Sequence, residues 1–320
     1  MYRERSVAVV VPAYNEEKLI SETLKGIPDF VDKIYVIDDG STDKTSEIVE
    51  DFMRIDKRVV LIKHEKNLGV GKAIVDGYKK AIEDNIDLIA VMAGDNQMDP
   101  RYLPSLLDPL VDGVADYSKG NRLVSKDYIQ GMSKWRLFGN TILTLLTKIA
   151  SGYWHIYDPQ NGYTAVRKDA LKNLPLDEVY PWYGYCNDLL VKMNVFGLKV
   201  IDVPIPARYG KEKSKIKYGK YIMKVSVLLL RNFFWRLKVK YVLKNFHPLV
   251  FFYLFGIIMT ILGVLGGIWS IAMKFIAGER LFERAVISLL LFGIGAQFIF
   301  FAMYFDMEEN RTIHRNYKGG

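Results

Sequence analysis

The sequence predicts an α/β protein: a mostly parallel sheet with flanking helices, followed by interfacial amphipathic helices and a two-helix transmembrane hairpin. Three observations predict this. Through the first two hundred residues, short apolar runs alternate with segments of helical period. Near the C-terminus lie two uncharged stretches of membrane-spanning length. Between these regions, from Val203 to Asn245, twelve Lys or Arg face a single acid, Glu212.

VAVVVPAYN reads as a buried strand ending in a turn. Its apolar run Val7–Val11 is too short for the core of a signal peptide and stops at Pro12, so export of this half is not expected. Leu19, Ile20, Thr23, Leu24 and Ile27 then recur at helical spacing. KIYVIDDGS is a second strand ending in acids, and VVLIKHE is a third. The glycine-rich NLGVGKA follows, opening a helix that carries Ala73, Ile74, Gly77, Ala81 and Ile82. LIAVMAGDNQ is a fourth strand, again ending in an acid.

Pro248–Met273 runs for 26 residues without a charge, and Ala285–Phe305 for 21. About 20 apolar residues cross a bilayer as helix, so the pair forms a hairpin. The basic run before the first span places both termini in the cytoplasm and the chain in the cell membrane as a two-span protein. From Lys217 to Phe246, apolar clusters interleave with Lys and Arg, as in helices that lie on anionic membrane lipids. Aromatics in that run are grouped with apolar residues and the spans follow at once, so no nucleic-acid partner is expected. Gly263, Gly266, Gly267, Gly293 and Gly295 allow close helix packing and hence a homo-oligomer.

One cysteine, Cys186, excludes a disulfide framework or a Cys-rich zinc site. Four histidines (His64, His155, His247, His314) lack ligand spacing, leaving the chemistry to carboxylates, lysines and arginines. Glu16, Asp38, Asp39 and Asp95 stand at three strand ends. In an open α/β sheet those ends surround one crevice, where carboxylates accept hydrogen bonds from a base and ribose or hold a divalent cation. Asp43 reads as a helix cap.

The ordered set PAYNE, VIDDGSTD, NLGVGKA and AGDNQ resembles the donor-binding half of family 2 glycosyltransferases, which have the GT-A fold; the likeness covers roughly residues 6–125. With the later half and the hairpin, the chain resembles the subgroup containing dolichyl-phosphate mannose synthase and bacterial polyprenyl-phosphate glucosyltransferases. The resemblance implies that Pro12, Tyr14 and Glu16 line the nucleotide pocket and that Ile37 and Asp39 meet base and ribose. It puts Lys72, Ala93 and Gly94 on the donor side too. The family's D-x-D here reads Ala93, Gly94, Asp95. Asp95 and Gln97 are therefore the implied ligands of Mg²⁺ or Mn²⁺, with Asp99 as an outer contact.

For an acceptor phosphate the resemblance supplies Arg122, Arg136 with Asn140 one turn on, Ser214 and Lys215, and Arg208 upstream. YDPQNGYTAVRKDAL resembles the family's D-P-x-S-G-F segment, which implies Asp158, Gln160 and Asn161 near the transferred sugar. The boundaries follow: a cytoplasmic GT-A catalytic domain at 1–210, a basic interface segment at 211–247, the hairpin at 248–305 and a cytoplasmic tail at 306–320.

The implied activity is inverting transfer of a hexose from a UDP- or GDP-linked sugar to a polyprenyl or dolichyl phosphate. An acceptor already anionic at neutral pH needs no strong general base. A hydroxyl acceptor on a glycolipid or polysaccharide would need one, and Asp188 is the candidate, unless it only favours the positive end of its helix. Ala93 also leaves open a non-catalytic protein that binds nucleotide-sugar.

Overall fold

The computed structural model describes residues 1–124, 134–206, 208, 218–278 and 282–315. The chain divides into two compact units, Met1–Phe233 and Phe234–Gly320.

The first unit is built on one seven-stranded sheet. Its strands are β1 (Val7–Ala13), β2 (Lys33–Asp38), β3 (Val59–Lys63), β4 (Leu88–Val91), β5 (Tyr117–Asn121), β6 (Thr164–Arg167) and β7 (Val200–Pro204). They lie in the order β3-β2-β1-β4-β6-β5-β7. Only β6 runs antiparallel to its neighbours β4 and β5; the other pairings are parallel.

The central strands are apolar throughout because both sheet faces are covered. In β1, Ala8 and Val10 enter one core while Val7, Val9, Val11 and Ala13 enter the other. On the first face sit α3 (Val70–Glu83) and α7 (Tyr185–Val195), through residues such as Ile74, Tyr78, Leu189 and Met193. On the second sit α1 (Ile20–Gly26), α2 (Thr45–Ile55) and α4 (Leu103–Val111), through Ile20, Leu24, Val49 and Leu107. Gly77 lets α3 approach the sheet: a Cβ there would lie 2.3 Å from Val10 Cγ1. The strand order reverses between β1 and β4, which opens a crevice at their C-terminal ends.

Two further helices of this unit expose apolar stripes. In α5 (Lys134–Ser151), Phe138, Ile142 and Leu145 face outward. In α8 (Tyr218–Lys238), Met223, Val227 and Leu230 do the same, with Lys220, Lys224 and Arg231 exposed beside them. The helices are neighbours, since a Cβ on Gly139 would come 3.0 Å from Ile222 Cδ1. The interface helix was expected in α8; the matching stripe on α5 was not. A short helix, α6 (Lys168–Lys172), follows β6.

In the second unit, α8 ends in a π-helical turn, Val239–Lys244, and two long helices follow. These are α9 (Leu249–Ala277) and α10 (Phe282–Arg315). Both are long and apolar enough to cross a membrane; only 22% and 17% of their most apolar windows are buried, so neither is the core helix of a soluble domain. Gly256, Gly263, Gly266 and Gly295 are taken up inside this pair: a Cβ on Gly263 would lie 2.5 Å from Phe292 N, and one on Gly295 equally close to Thr260 N. Gly267 and Gly293 face open space.

Helix α10 continues past Phe305, where a tail was expected to begin. Asp306 is fully buried and takes a two-point ion pair from Arg236, both bonds at 2.8 Å, plus the Tyr241 hydroxyl at 2.6 Å. Asn310, one turn on, accepts from Lys240 at 3.0 Å. These side-chain partners carry the helix into a polar stretch that composition alone would have ended.

Candidate functional site

Three strand ends build the crevice, each fixed by hydrogen bonds from the next. After β1, Asn15 adopts φ +56° and its Oδ1 accepts from Thr42 N at 2.8 Å. Glu16 N donates to Thr45 Oγ1 at 2.8 Å, so the PAYNE turn is stitched to the DDGSTD loop. Asp38 is buried and accepts from Ser41 N and the Ser46 hydroxyl. Asp43, expected to cap the helix, instead lies one residue before the cap position Lys44 and accepts from Thr45 N at 2.9 Å. Pro12 is buried at this end, Tyr14 is exposed and Glu16 is half-buried.

Asp39 carries the glycine-rich loop. Its carboxylate accepts from Leu68 N, Gly69 N and His64 Nδ1, each at 2.8 Å. On its far side the loop meets the segment 180–182: Gly71 N donates to Pro181 O at 2.7 Å, and a Cβ on Gly71 would lie 2.3 Å from Tyr180 O. Gly69, at φ +99°, sits in the left-handed region that favours glycine. His64 Nε2 reaches Asp76 at 3.1 Å, and Asp76 is ion-paired to Lys72 at 2.6 Å. Lys72 is thus held along its own helix. Ile37 is a correction: it is wholly buried in the core between β2 and α3, and its side chain offers nothing to a ligand.

At the end of β4, Gly94 N donates to Pro12 O at 3.1 Å, and Gly94 packs closely on Ala13 and Ile20. Asp95 Oδ1 accepts from Gln97 N at 3.1 Å, which aims the turn that follows. Ala93 N points at Met98 Sδ, 3.2 Å away. Asp99 is taken up otherwise: its carboxylate is gripped by Arg101 through N, Nε and Nη2 at 2.6–3.0 Å, and this pairing holds its carboxyl below the usual range.

Asp95, Gln97, Asp99, Arg122, Asn161 and Arg208 line one cavity of about 90 Å³. Four of the residues singled out in the sequence as ligand or phosphate contacts therefore meet: Asp95, Gln97, Arg122 and Arg208. Pro12, Tyr14, Glu16, Asp39, Lys72, Ala93 and Gly94 stand on the strand ends and loops around the crevice and are not among those lining residues. Arg136 lies in the first turn of α5, its side chain outside the described residues, as are Ser214 and Lys215. Asn140, one turn along, is buried.

Of the three DPQNG residues expected near the sugar, Asn161 lines the cavity, and Asp158 and Gln160 are not among its lining residues. Asp158 is fully buried and paired with Arg122, with Nε at 2.7 Å and Nη2 at 3.0 Å. Burial alone would raise its carboxyl, but the Arg122 charge and hydrogen bonds hold it below the ordinary range. Asn161 uses its amide on the main chain, donating to Gly120 O at 2.7 Å and accepting from Tyr163 N at 3.1 Å. Among the described residues, Gln160 accepts only from the Thr144 hydroxyl, at 3.5 Å. Asp188 is a correction as a base: wholly buried in α7, it accepts from Tyr180 N at 2.8 Å and Asn232 at 2.6 Å and pairs with Lys192 at 2.9 Å.

Sequence reasoning missed Lys119 and Asp202. Lys119 is fully buried in β5, its Nζ donates to Asn161 O, and burial lowers its pKa. A lysine inside the strand YSKGN was the available signal. Asp202 in β7 accepts from Tyr157 N at 2.6 Å and Asn121 at 2.9 Å, but its Oδ1 is buried without a hydrogen-bond partner among the described residues. Burial pushes its carboxyl up to about 6. Cys186, also in α7, is buried, and burial pushes its thiol above the usual range.

Residues 8–174 match glycosyl transferase family 2. The UDP-N-acetylglucosamine–dolichyl-phosphate N-acetylglucosaminyltransferase of Methanococcus voltae is 30% identical over 64% of this chain and 87% of its own. The dolichol-phosphate mannosyltransferase of Pyrococcus furiosus is 26% identical over 74% of this chain and 66% of its own. Among solved structures, glucosyl-3-phosphoglycerate synthase of Mycobacterium tuberculosis, with Mn²⁺, UDP and glucosyl-3-phosphoglycerate, shares the fold; its TM-score is 0.55 at 20% identity, over 72% of this chain and 80% of that one. The sheet, the crevice and the matched sequence agree: the chain belongs to glycosyl transferase family 2, among relatives named for transfer to dolichyl or polyprenyl phosphate.

Proposed function

We propose that this glycosyltransferase moves a hexose, with inversion, from a UDP- or GDP-linked sugar to a polyprenyl or dolichyl phosphate at the cytoplasmic membrane face. One observation carries the reading: Arg122 and Arg208 share a cavity with Asp95 and Gln97. Oxygen donors and guanidinium groups in one space suit a sugar diphosphate meeting a second phosphate. Named relatives act on dolichyl phosphate, and the apolar stripes of α5 and α8 suit an acceptor that arrives in a membrane. The basic run before the hairpin favours the cytoplasmic side.

In the proposed reaction a phosphate oxygen of the acceptor bonds to the anomeric carbon as the bond to the diphosphate oxygen breaks, and the nucleoside diphosphate leaves. No proton need be removed. Asp95 and Gln97 offer hard oxygen donors that fit Mg²⁺ or Mn²⁺, the rest of the shell falling to diphosphate and water. When bound, the cation supplies charge neutralisation to the leaving group. Pro12, Tyr14, Glu16 and Asp39 would receive the nucleotide on the stitched strand ends. Arg122, Arg136, Arg208, Ser214 and Lys215 would hold the acceptor phosphate. The buried, paired state of Asp188 counts against a hydroxyl acceptor that relies on it as base.

Purified protein incubated with a panel of nucleotide-sugars, Mn²⁺ or Mg²⁺ and polyprenyl phosphate tests this. A lipid-linked sugar of inverted anomeric configuration, lost in Asp95→Ala, is expected. Nucleotide-sugar binding without turnover on any lipid phosphate would sink the proposal.

A further inference from the structure

Arg122 leaves β5 where the strand ends, and its main chain and side chain both turn back onto one carboxylate. Among the described residues, the Asp158 carboxylate receives three hydrogen bonds, all from Arg122: N at 3.1 Å, Nε at 2.7 Å and Nη2 at 3.0 Å. Contact along one edge of the guanidinium, plus the adjoining main chain, fixes the plane of the group as a single bond would not. Asp158 itself has no exposed surface, so it acts on a ligand only through another residue. Arg122 lines the cavity beside Asp95 and Gln97. Lys119, a buried lysine in β5, is committed to Asn161 O.

We propose that Asp158 is a positioning residue: it holds the Arg122 guanidinium in the plane from which it meets the acceptor's phosphate oxygens. The proposal rests on the reading above only in taking the acceptor to be a lipid phosphate. A guanidinium swung away by about 1 Å or more would lose much of its hold on the displacement geometry, while the nucleotide end of the donor would not feel it.

The test uses the full chain in detergent, with Asp158→Glu, Asp158→Asn, Arg122→Lys and the Asp158→Asn/Arg122→Lys double variant. Asp158→Glu keeps the charge and shifts the anchor by one methylene. Donor affinity is measured by calorimetry with UDP- and GDP-sugars and Mn²⁺, and its stoichiometry reports the folded fraction. Transfer is followed as kcat and KM for polyprenyl phosphate. Each single variant is expected to lose about 100-fold in kcat/KM for polyprenyl phosphate while donor affinity moves less than about threefold. The double variant is expected to be no worse than the poorer single by more than about threefold.

Wild-type kcat/KM in Asp158→Glu, equal losses in donor affinity, or additive losses in the double variant would each overturn it. If the wild type transfers to no lipid phosphate, the acceptor reading falls separately. Positioning is then read from the ¹⁵N-labelled Arg122 Nε–H signal. Slow exchange in wild type and fast exchange in Asp158→Asn supports it, and equal exchange overturns it.

Discussion

Asp202 and Asp158 lie in the same part of the fold and answer to pH in opposite senses. The Asp202 carboxyl is raised to about 6 from an ordinary 3.8, so folding favours its protonated form. Its contribution is full below about pH 3.8 and is lost as pH rises towards 6, on the order of 1–3 kcal/mol. Asp202→Asn keeps an acceptor for Tyr157 N and Asn121 and carries no charge. It is expected to match wild type near pH 4 and exceed it near pH 8, as read from denaturation midpoints at both values; an equal difference at both would refute the assignment. Asp158, held low by Arg122, contributes stability above the ordinary carboxylate range and loses it as pH falls through its own lowered value. The types of these residues were plain in the sequence, but their partners were not. Nothing local in YDPQNGY says that its aspartate lies under Arg122, 36 residues earlier, rather than facing a sugar.

At the scale of elements, the glycines divide into those that turn the chain and those that let it come close. Gly77 is of the second kind, and Gly77→Ala is expected to cost about 1–3 kcal/mol in unfolding free energy by forcing α3 off Val10. The stripes on α5 and α8 make a different prediction. With the native tryptophans replaced by Phe, a single Trp at Ile142 or Val227 should be quenched by brominated lipid in reconstituted vesicles, and one at the exposed Glu50 should not. Strands β1 to β4 and helices α1 and α3 were legible because buried strands and amphipathic helices carry periods that composition cannot hide. The antiparallel β6 was not legible, since strand direction is set by which neighbour it meets. The stripe on α5 is hidden in the sequence by Arg136 and Asn140, whose spacing suggests ligand contacts, although Phe138, Ile142 and Leu145 share one helical face.

For the molecule as a whole, the Arg236–Asp306 pair joins the end of α8 to α10 within the second unit. Both side chains are fully buried. Arg236→Met leaves a carboxylate held, among the described residues, by Tyr241 and Asn310 and is expected to cost about 3–5 kcal/mol. Arg236→Met with Asp306→Leu removes both charges and should recover most of that loss, measured as thermal midpoints in detergent; no recovery would mean that the pair's geometry, not its charge balance, matters. The spans themselves were readable from apolar length alone. Their ends were not: α10 persists to Arg315 because Asp306 and Asn310 find side-chain partners that a hydropathy count cannot see.

The lone thiol has a practical meaning. Cys186 is sealed inside α7 with its pKa raised, so the thiolate that reacts with maleimides is scarce and out of reach. To such reagents the native chain is nearly blank, and a cysteine added anywhere on the surface becomes a unique address. Glu50→Cys on α2 and Ala277→Cys at the end of α9 make a pair for sealed vesicles of known orientation. An impermeant maleimide added from one side should label only one of the two, which turns the orientation of the hairpin into a gel band.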